Sequence, residues 1–428
     1  MIMRPRFPEG ERPDPAMLAS CLREHLARLP RLEKLRRYYD GRQDILQRRR
    51  ADGLPNNRLA HAFPRYITAM ASGYLIGNPV TYRMPAEDGE HARAALEALL
   101  DHYRACAIDS VDAELARNAS IYGRAVELVY ADEAAHPRSV SLDPRSAFVV
   151  YDDTVACAPL LGVYYAPVRL PEGGAAGWRV HVFTRETRLT YRVSALGEFP
   201  PGALAEEAPH YFGAVPLVEY WNDECERGDF EPVISLIDAY DALASDRLND
   251  KQQFVDALLL LYGCTLETDA RGRSPGQQLR EDKALALPDS DAHAEFLCKQ
   301  MNEADTQILR EALRQDIHKL CMVPDMTDER FAGNASGVAM RYKLLGLEQL
   351  TKVKERWFRE GLRARLGLYA AFVRRLGGAA VDVAAVQIGF ARALPVNELE
   401  VSQMLSGMRG IWDDDTLKAR ADALMGQA

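Results

Sequence analysis

From Ser336 to Leu376 the sequence reads as one very long amphipathic helix, and no other feature narrows the choice of fold as much. Leu347, Leu350, Val353 and Trp357 make one apolar stripe, and Phe358, Leu362, Leu366, Tyr369 and Phe372 continue a second. At ~1.5 Å per residue the segment spans roughly 60 Å. Its interior Gly346, Gly361 and Gly367 predict a kink. A helix this long with two apolar stripes needs neighbours on more than one side. The stretch upstream is opposite in character: Val323-Pro324-Asp325 and the cluster at Gly333 to Gly337 read as a loose polar loop, and "GNASGVAMRYK" (Gly333 to Lys343) joins that cluster to the start of the helix. Read plainly, Asn334 or Ser336 N-caps that helix through a side-chain oxygen.

Composition matters for what it excludes. The 428 residues are 47% hydrophobic and 27% charged, a globular balance with material for two or three sub-domains. The longest apolar runs, Ala257 to Tyr262 and Leu368 to Val373, fall far short of the ~18 residues of a membrane span. The opening MIMRPRFPEGERPDP lacks an apolar core, so no secretory signal is expected. The seven cysteines (Cys21, Cys106, Cys157, Cys225, Cys264, Cys298 and Cys321) contain no C-x-x-C pair and read as separate thiols in a reducing compartment. A formal net charge of −9 argues against a surface that grips nucleic acid throughout.

The rest of the chain alternates in character. Pro15 to Tyr39 is helical, with an interruption expected at Pro30; Leu59 to Ile76 is a second helix, broken near Pro64; Ala92 to Tyr103 is a third. From Ser120 the period changes to two, and strands are expected at Val126 to Tyr130, Phe148 to Tyr151, Gly162 to Tyr165, Val180 to Phe183 and Leu189 to Val193. A helix follows, with Pro232 in its first turn and Ile234, Ile237, Tyr240 and Leu248 on one face. Short strands, Leu258 to Tyr262 and Ala284 to Leu287, and the loose Arg271 to Gly276 come next, and Glu303 to Leu320 resumes a helix with Ile308, Ala312 and Leu313 on one side.

Candidate chemistry is sparse. Glu127, Asp143, Asp152 and Asp153 lie on neighbouring β-rich segments and form the set a two-metal nuclease site would need; carboxylates at strand ends are more often solvated turn residues. Glu295 and Lys299 lack the strand setting of a nuclease core. His91 and His102 are about three helical turns apart, too far to share a metal. There is no G-x-x-x-x-G-K-[ST] phosphate cradle. Arg341, Lys343, Lys352, Lys354, Arg356, Arg359, Arg363 and Arg365 read mostly as the polar face of the long helix.

Several segments together resemble a known family. "YYDGRQDIL" (Tyr38 to Leu46), "PNNRLAHAFPRYI" (Pro55 to Ile67), "GYLIGNPVTY" (Gly73 to Tyr82), "VVYDDT" (Val149 to Thr154), "FGAVPLVEYWND" (Phe212 to Asp223), "LIDAYDALASDRLND" (Leu236 to Asp250) and "MVPDMTDERFAGNASGVAMRYKLLGLE" (Met322 to Glu348) are collinear with the pattern of tailed-phage portal proteins of the siphophage type. The resemblance implies an α+β portal fold: a β-rich wing, a helical-hairpin stem, a small α/β clip and a long kinked helix. On this chain the implied parts are the helical part of the wing (1–106), the β-rich wing (107–225), the first stem helix (226–256), the clip (257–300), the second stem helix (301–322), the tunnel loop (323–335), the long helix (336–376), and a last wing strand with a reduced crown (377–428). Larger members carry a longer helical crown, so crown contacts with packaged DNA are in doubt here.

The resemblance further implies a non-enzymatic ring, typically a dodecamer, at one capsid vertex of the virion, assembled in the host cytoplasm. Double-stranded DNA passes non-specifically through its axis during packaging and ejection. The implied partners are the terminase large subunit, the head-completion adaptor, and the major capsid and scaffolding proteins; no cofactor, metal or membrane is implied. A closed ring would also supply the long helix with neighbours on two sides. Pro324, Asp325, Asp328, Glu329, Arg330, Gly333 and Asn334 would face the channel from the tunnel loop. Lys251, Arg310, Arg314 and Lys319 would be the stem's basic residues, few enough not to trap sliding DNA. Arg271 and Arg273 would serve docking at the clip. The competing class is a metal-dependent enzyme acting on nucleic acid through Glu127, Asp143, Asp152 and Asp153.

Overall fold

A computed structural model of the chain describes residues 1–8, 10–51, 54–171, 173–253, 258–262, 268, 274, 293–297, 303–326, 342–392 and 406–408. The fold mixes α and β, in two compact units: Met1–Arg42, Ala62–Ile234 and Ile317–Ala428 form one, Gln43–His61 and Ser235–Asp316 the other. In chain order the elements are β1 (Ile2–Arg4), α1 (Pro15–Tyr39), α2 (Phe63–Ile76), β2 (Thr81–Arg83), α3 (Gly89–Ala105), α4 (Ile108–Tyr122), β3 (Arg124–Ala131), β4 (Pro137–Leu142), β5 (Ala147–Asp152), β6 (Pro159–Arg169), β7 (Ala175–Phe183), β8 (Thr187–Val193), β9 (Leu204–Pro209) and β10 (Leu217–Trp221). Then come α5 (Ile234–Gln253), β11 (Leu258–Tyr262), β12 (His293–Leu297), α6 (Glu303–Leu320), α7 (Leu345–Arg375) and β13 (Gln387–Gly389).

In the first unit, six strands form a sheet in the order β1-β5-β6-β7-β8-β9, with β1 parallel to β5 and the other pairs antiparallel. Successive strand residues face opposite ways, and here both faces are covered. Phe148, Val150, Val163, Val180, Val182 and Leu189 pack with Leu18 and Leu22 of α1. Val149 and Phe183 face the other way, into a layer with Val126 and Leu217 of the three-stranded sheet β10-β3-β4. The sheets approach so closely at Gly162 that a Cβ there would lie 2.7 Å from the Leu217 Cβ. α7 packs into a third layer, where Phe358, Leu362, Leu366, Tyr369 and Phe372 meet side chains of α3, α4, β3 and β10.

Several local expectations change. α1 runs unbroken through Pro30, which is exposed, while Leu18 and Leu22 before it and Leu32, Leu35 and Tyr38 after it are buried. Packing on both sides offsets the roughly 3 kcal/mol of an interior proline. Pro64 opens α2 rather than breaking it. α7 begins at Leu345, after a turn at Leu344, and its 31 residues make about 46 Å. Its interior glycines do not divide it: Gly361 admits the Tyr220 ring, which would lie 2.4 Å from a Cβ there. The second stripe is wholly buried, whereas Val353 of the first is 43% exposed.

In the second unit an extended segment lies along α5. Asn57 N–H donates to Asn249 Oδ1 (2.6 Å), Leu59 N–H to Ser245 Oγ (2.9 Å) and His61 N–H to Asp241 Oδ1 (3.0 Å). The match is geometric: two extended residues advance about 6.6 Å and four helical residues about 6 Å, so alternate amides meet every fourth side chain. β11 pairs antiparallel with β12, so the strand partner of Leu258–Tyr262 is His293–Leu297. Glu295 therefore has the strand setting it was expected to lack; Ala284 to Leu287 and Lys299 lie outside the described residues.

Candidate functional site

The described residues that follow α6 are firmly held. Beyond α6, Met322 takes a left-handed φ of 56° and turns the chain back, and Val323 is buried. Tyr66 of α2 reaches this turn. Its hydroxyl donates to the Pro324 carbonyl at 2.8 Å and accepts from the Met326 N–H at 3.1 Å. Burial raises the Tyr66 pKa, the Met326 N–H opposes that, and the Asp325 carboxylate adds to it. The hydroxyl thus keeps its proton and can donate. His318 places Nδ1 3.1 Å from the Val323 carbonyl and Nε2 3.7 Å from Asp325 Oδ2. The edges of Phe63 and Tyr66 flank its ring, with centroids at 5.9 and 5.6 Å. The connection returns close by: a Cβ on Gly346, in the first turn of α7, would lie 3.7 Å from the Met322 Cβ. The chain on the two sides of residues 327–341 therefore lies side by side at Met322 and Gly346.

α7 carries two cations inward. Lys354 donates to Asp229, which also accepts from Ser120 Oγ (2.5 Å) and Asn222 Nδ2 (2.8 Å). Arg365 is fully buried, donates to Asp112 and to the Tyr82 hydroxyl (2.9 Å), and stands 3.6 Å from Glu127. Burial pushes the Glu127 pKa up and Arg365 opposes it; the carboxylate also accepts from the Tyr220 hydroxyl. These two cations leave the polar face assigned to the basic residues of this helix. The signal was present: Lys354, Phe358, Gly361 and Arg365 recur at helical spacing on one face. Arg392 grips the same helix from the chain after β13, bonding Glu348 at 2.8 Å and pairing with Glu355.

The sequence-derived site residues fall as follows. Pro324 and Asp325 sit in the segment just described; Asp328, Glu329, Arg330, Gly333 and Asn334 lie outside the described residues, as do Arg271 and Arg273. Lys251 is on α5 and exposed; Arg310, Arg314 and Lys319 are on α6, and Arg314 pairs with Glu311 at 2.6 Å. Residues that sequence reasoning missed are Tyr66, Asp112, Asp229 and Arg392, each defined by a partner distant in the chain, and His318, whose polar partners Val323 and Asp325 are near in sequence but whose flanking rings Phe63 and Tyr66 are distant.

The four carboxylates of the metal reading do not form a ligand set. Glu127 is committed to Arg365 and Tyr220, Asp143 pairs with Arg145 at 2.6 Å, and Asp153 is exposed. Asp152 is held at a pKa of about 2 by the Thr154 hydroxyl and by Arg6. Among the described residues no group of three or more His, Cys, Asp or Glu is placed to hold a metal ion, and no helix is long and apolar enough to cross a membrane.

The chain is 24% identical to the portal protein of Bacillus phage SPP1 over 441 aligned residues, covering 95% of this chain and 83% of that one. It is 26% identical to the portal protein of Clostridium phage phiCD119 over 209 residues, 47% of this chain and 44% of the relative. Residues 18–422 match the family model described as phage portal protein, SPP1 Gp6-like, so nearly the whole length is accounted for, and the protein belongs to that family of phage portal proteins.

Proposed function

We propose that copies of this chain form a ring, a dodecamer, at one vertex of a phage capsid, and that double-stranded DNA enters and leaves the virion along its axis. The chain itself performs no catalysis. In this reading α5 and α6 form the stem, residues 257–300 the clip, residues 323–335 the tunnel loop, residues 1–225 the wing, residues 336–376 the long helix, and residues 377–428 a last wing strand and the crown. The observation that carries it is the held start of the segment after α6: Val323 is buried, Tyr66 and His318 bond the backbone at Pro324, Met326 and Val323, and the chain resumes beside Met322 at Gly346, so what lies between starts from a rigid base. α6 adds support, since Ile308 and Leu309 are 67% and 51% exposed within one subunit and suit burial against the next. Asp325, Asp328 and Glu329 keep phosphate from lodging on the loop, and Lys251, Arg310, Arg314 and Lys319 are few enough to let DNA slide. The terminase large subunit and the head-completion adaptor dock at the clip, with Arg271 and Arg273 at its rim; the capsid and scaffolding proteins surround the ring.

The test pairs electron microscopy of the purified chain with DNA packaging by a variant whose loop is shortened within residues 327–334. Rings with a central hole, retained in the variant while packaging or DNA retention falls, support the reading. A compact monomer at high concentration with no rings overturns it.

A further inference from the structure

Tyr66 holds the chain on both sides of Asp325. One hydroxyl gives its proton to the Pro324 carbonyl and takes the Met326 N–H, so a single side chain 258 to 260 residues away fixes the peptides before and after one residue. His318 adds a third point at the Val323 carbonyl, and Val323 itself is buried. With the Met322 N–H bonded to the Lys319 carbonyl, the backbone between Met322 and Met326 is held at four points. Nothing in the local sequence Val323-Pro324-Asp325-Met326 supplies these bonds; they come from α2 and from the last turn of α6. Phenylalanine at position 66 would keep the ring contacts with His318 and lose both bonds to the turn.

We propose that Tyr66 is a positioning residue for DNA passage, which with His318 fixes the place and direction in which the chain leaves the core after Met326. This rests on the reading of the following segment as channel-lining. Around a ring every copy would start its loop from the same point, so that DNA meets loops at one level. A subunit lacking the bond starts its loop from a range of points, and the copies lose register.

The test is Tyr66→Phe in the full-length, assembled ring. Rings and their thermal stability are expected to be retained. Hydrogen exchange at the Met326 amide should rise about fivefold, the equivalent of one lost hydrogen bond. DNA translocation should slow severalfold while terminase binding is unchanged, a split that a general folding defect would not give. Unchanged exchange at Met326 overturns the bond, and faster exchange with wild-type translocation overturns the positioning role. If Tyr66→Phe does not assemble, His318→Phe keeps the aromatic contacts and removes the donation to Val323. Slowed translocation in its rings supports the proposal, and wild-type translocation or failure to assemble overturns it. Met326→Cys, labelled with a charged maleimide with and without threaded DNA, separates the two readings. Labelling that DNA leaves unaltered refutes the channel-lining reading, while the exchange result still reports on the bond.

Discussion

Lys354 of α7 donates to Asp229 across 125 residues of chain, and their side chains are only 4% and 2% exposed. Removing Lys354 leaves the Asp229 charge buried with no counter-charge, bonded only by the neutral Ser120 and Asn222. Lys354→Met is therefore expected to destabilise the subunit by about 3–5 kcal/mol, whereas pairing it with Asp229→Leu should recover much of that loss. Urea denaturation of the unassembled subunit, in a double-mutant cycle, measures the coupling.

Two glycines of α7 should respond to alanine with opposite signs. At Gly361 the new Cβ would meet the Tyr220 ring at 2.4 Å, and overpacking costs about 1–3 kcal/mol. At Gly367 nothing lies within 4 Å; the residue lines an open groove of about 740 Å³ beside Trp221 and Trp357, so alanine should stabilise by up to about 1 kcal/mol. Thermal melting of the two variants checks the difference.

His25 should make the subunit acid-sensitive. It is wholly buried, its ring stacks on Phe148 at 4.4 Å, and burial lowers its pKa from the ordinary 6.5 to about 4. The folded form thus holds a neutral ring while the unfolded chain takes up a proton below 6.5, so unfolding binds protons. The stability involved is fully present above 6.5, falls between 6.5 and about 4, and levels off below that, for a total of about 3 kcal/mol. His25→Gln should flatten that part of the stability profile, measured by denaturation across pH.

The ladder along α5 gives a local prediction. Asn249 is fully buried and accepts from the Asn57 backbone; Asn249→Ala should orphan that amide, destabilising the second unit by about 1–3 kcal/mol. Exchange at the Asn57 amide should accelerate more than at His61, which keeps Asp241.

Charge reversal at Arg271 and Arg273 tests the docking proposal. Rings should still form, and terminase or adaptor binding should weaken most at low salt, where contacts at a charged rim are least screened. Unchanged binding and packaging by the double variant remove these residues from the docking surface.

The sequence by itself determined what depends on near neighbours. The run Phe148 to Tyr151 specifies a strand, and Phe358, Leu362, Leu366, Tyr369 and Phe372 specify the core face of α7, because side-chain direction follows from the local backbone; that both faces of the strand are buried came from the layers packed on it. The collinear motifs carried the family. Only the tertiary structure decided which polar groups became partners. Arg365 and Lys354 look in sequence like any cation on a helix; Asp112 and Asp229, 253 and 125 residues away, bring them inside. Pro30 looks like a helix end until the layers on either side of it hold α1 together. Tyr66 looks like one more aromatic of α2 until the turn at Pro324 is laid against it. A buried charge or hydroxyl is stable only where its partner is, and the partner's place is set by the packing of layers rather than by spacing along the chain.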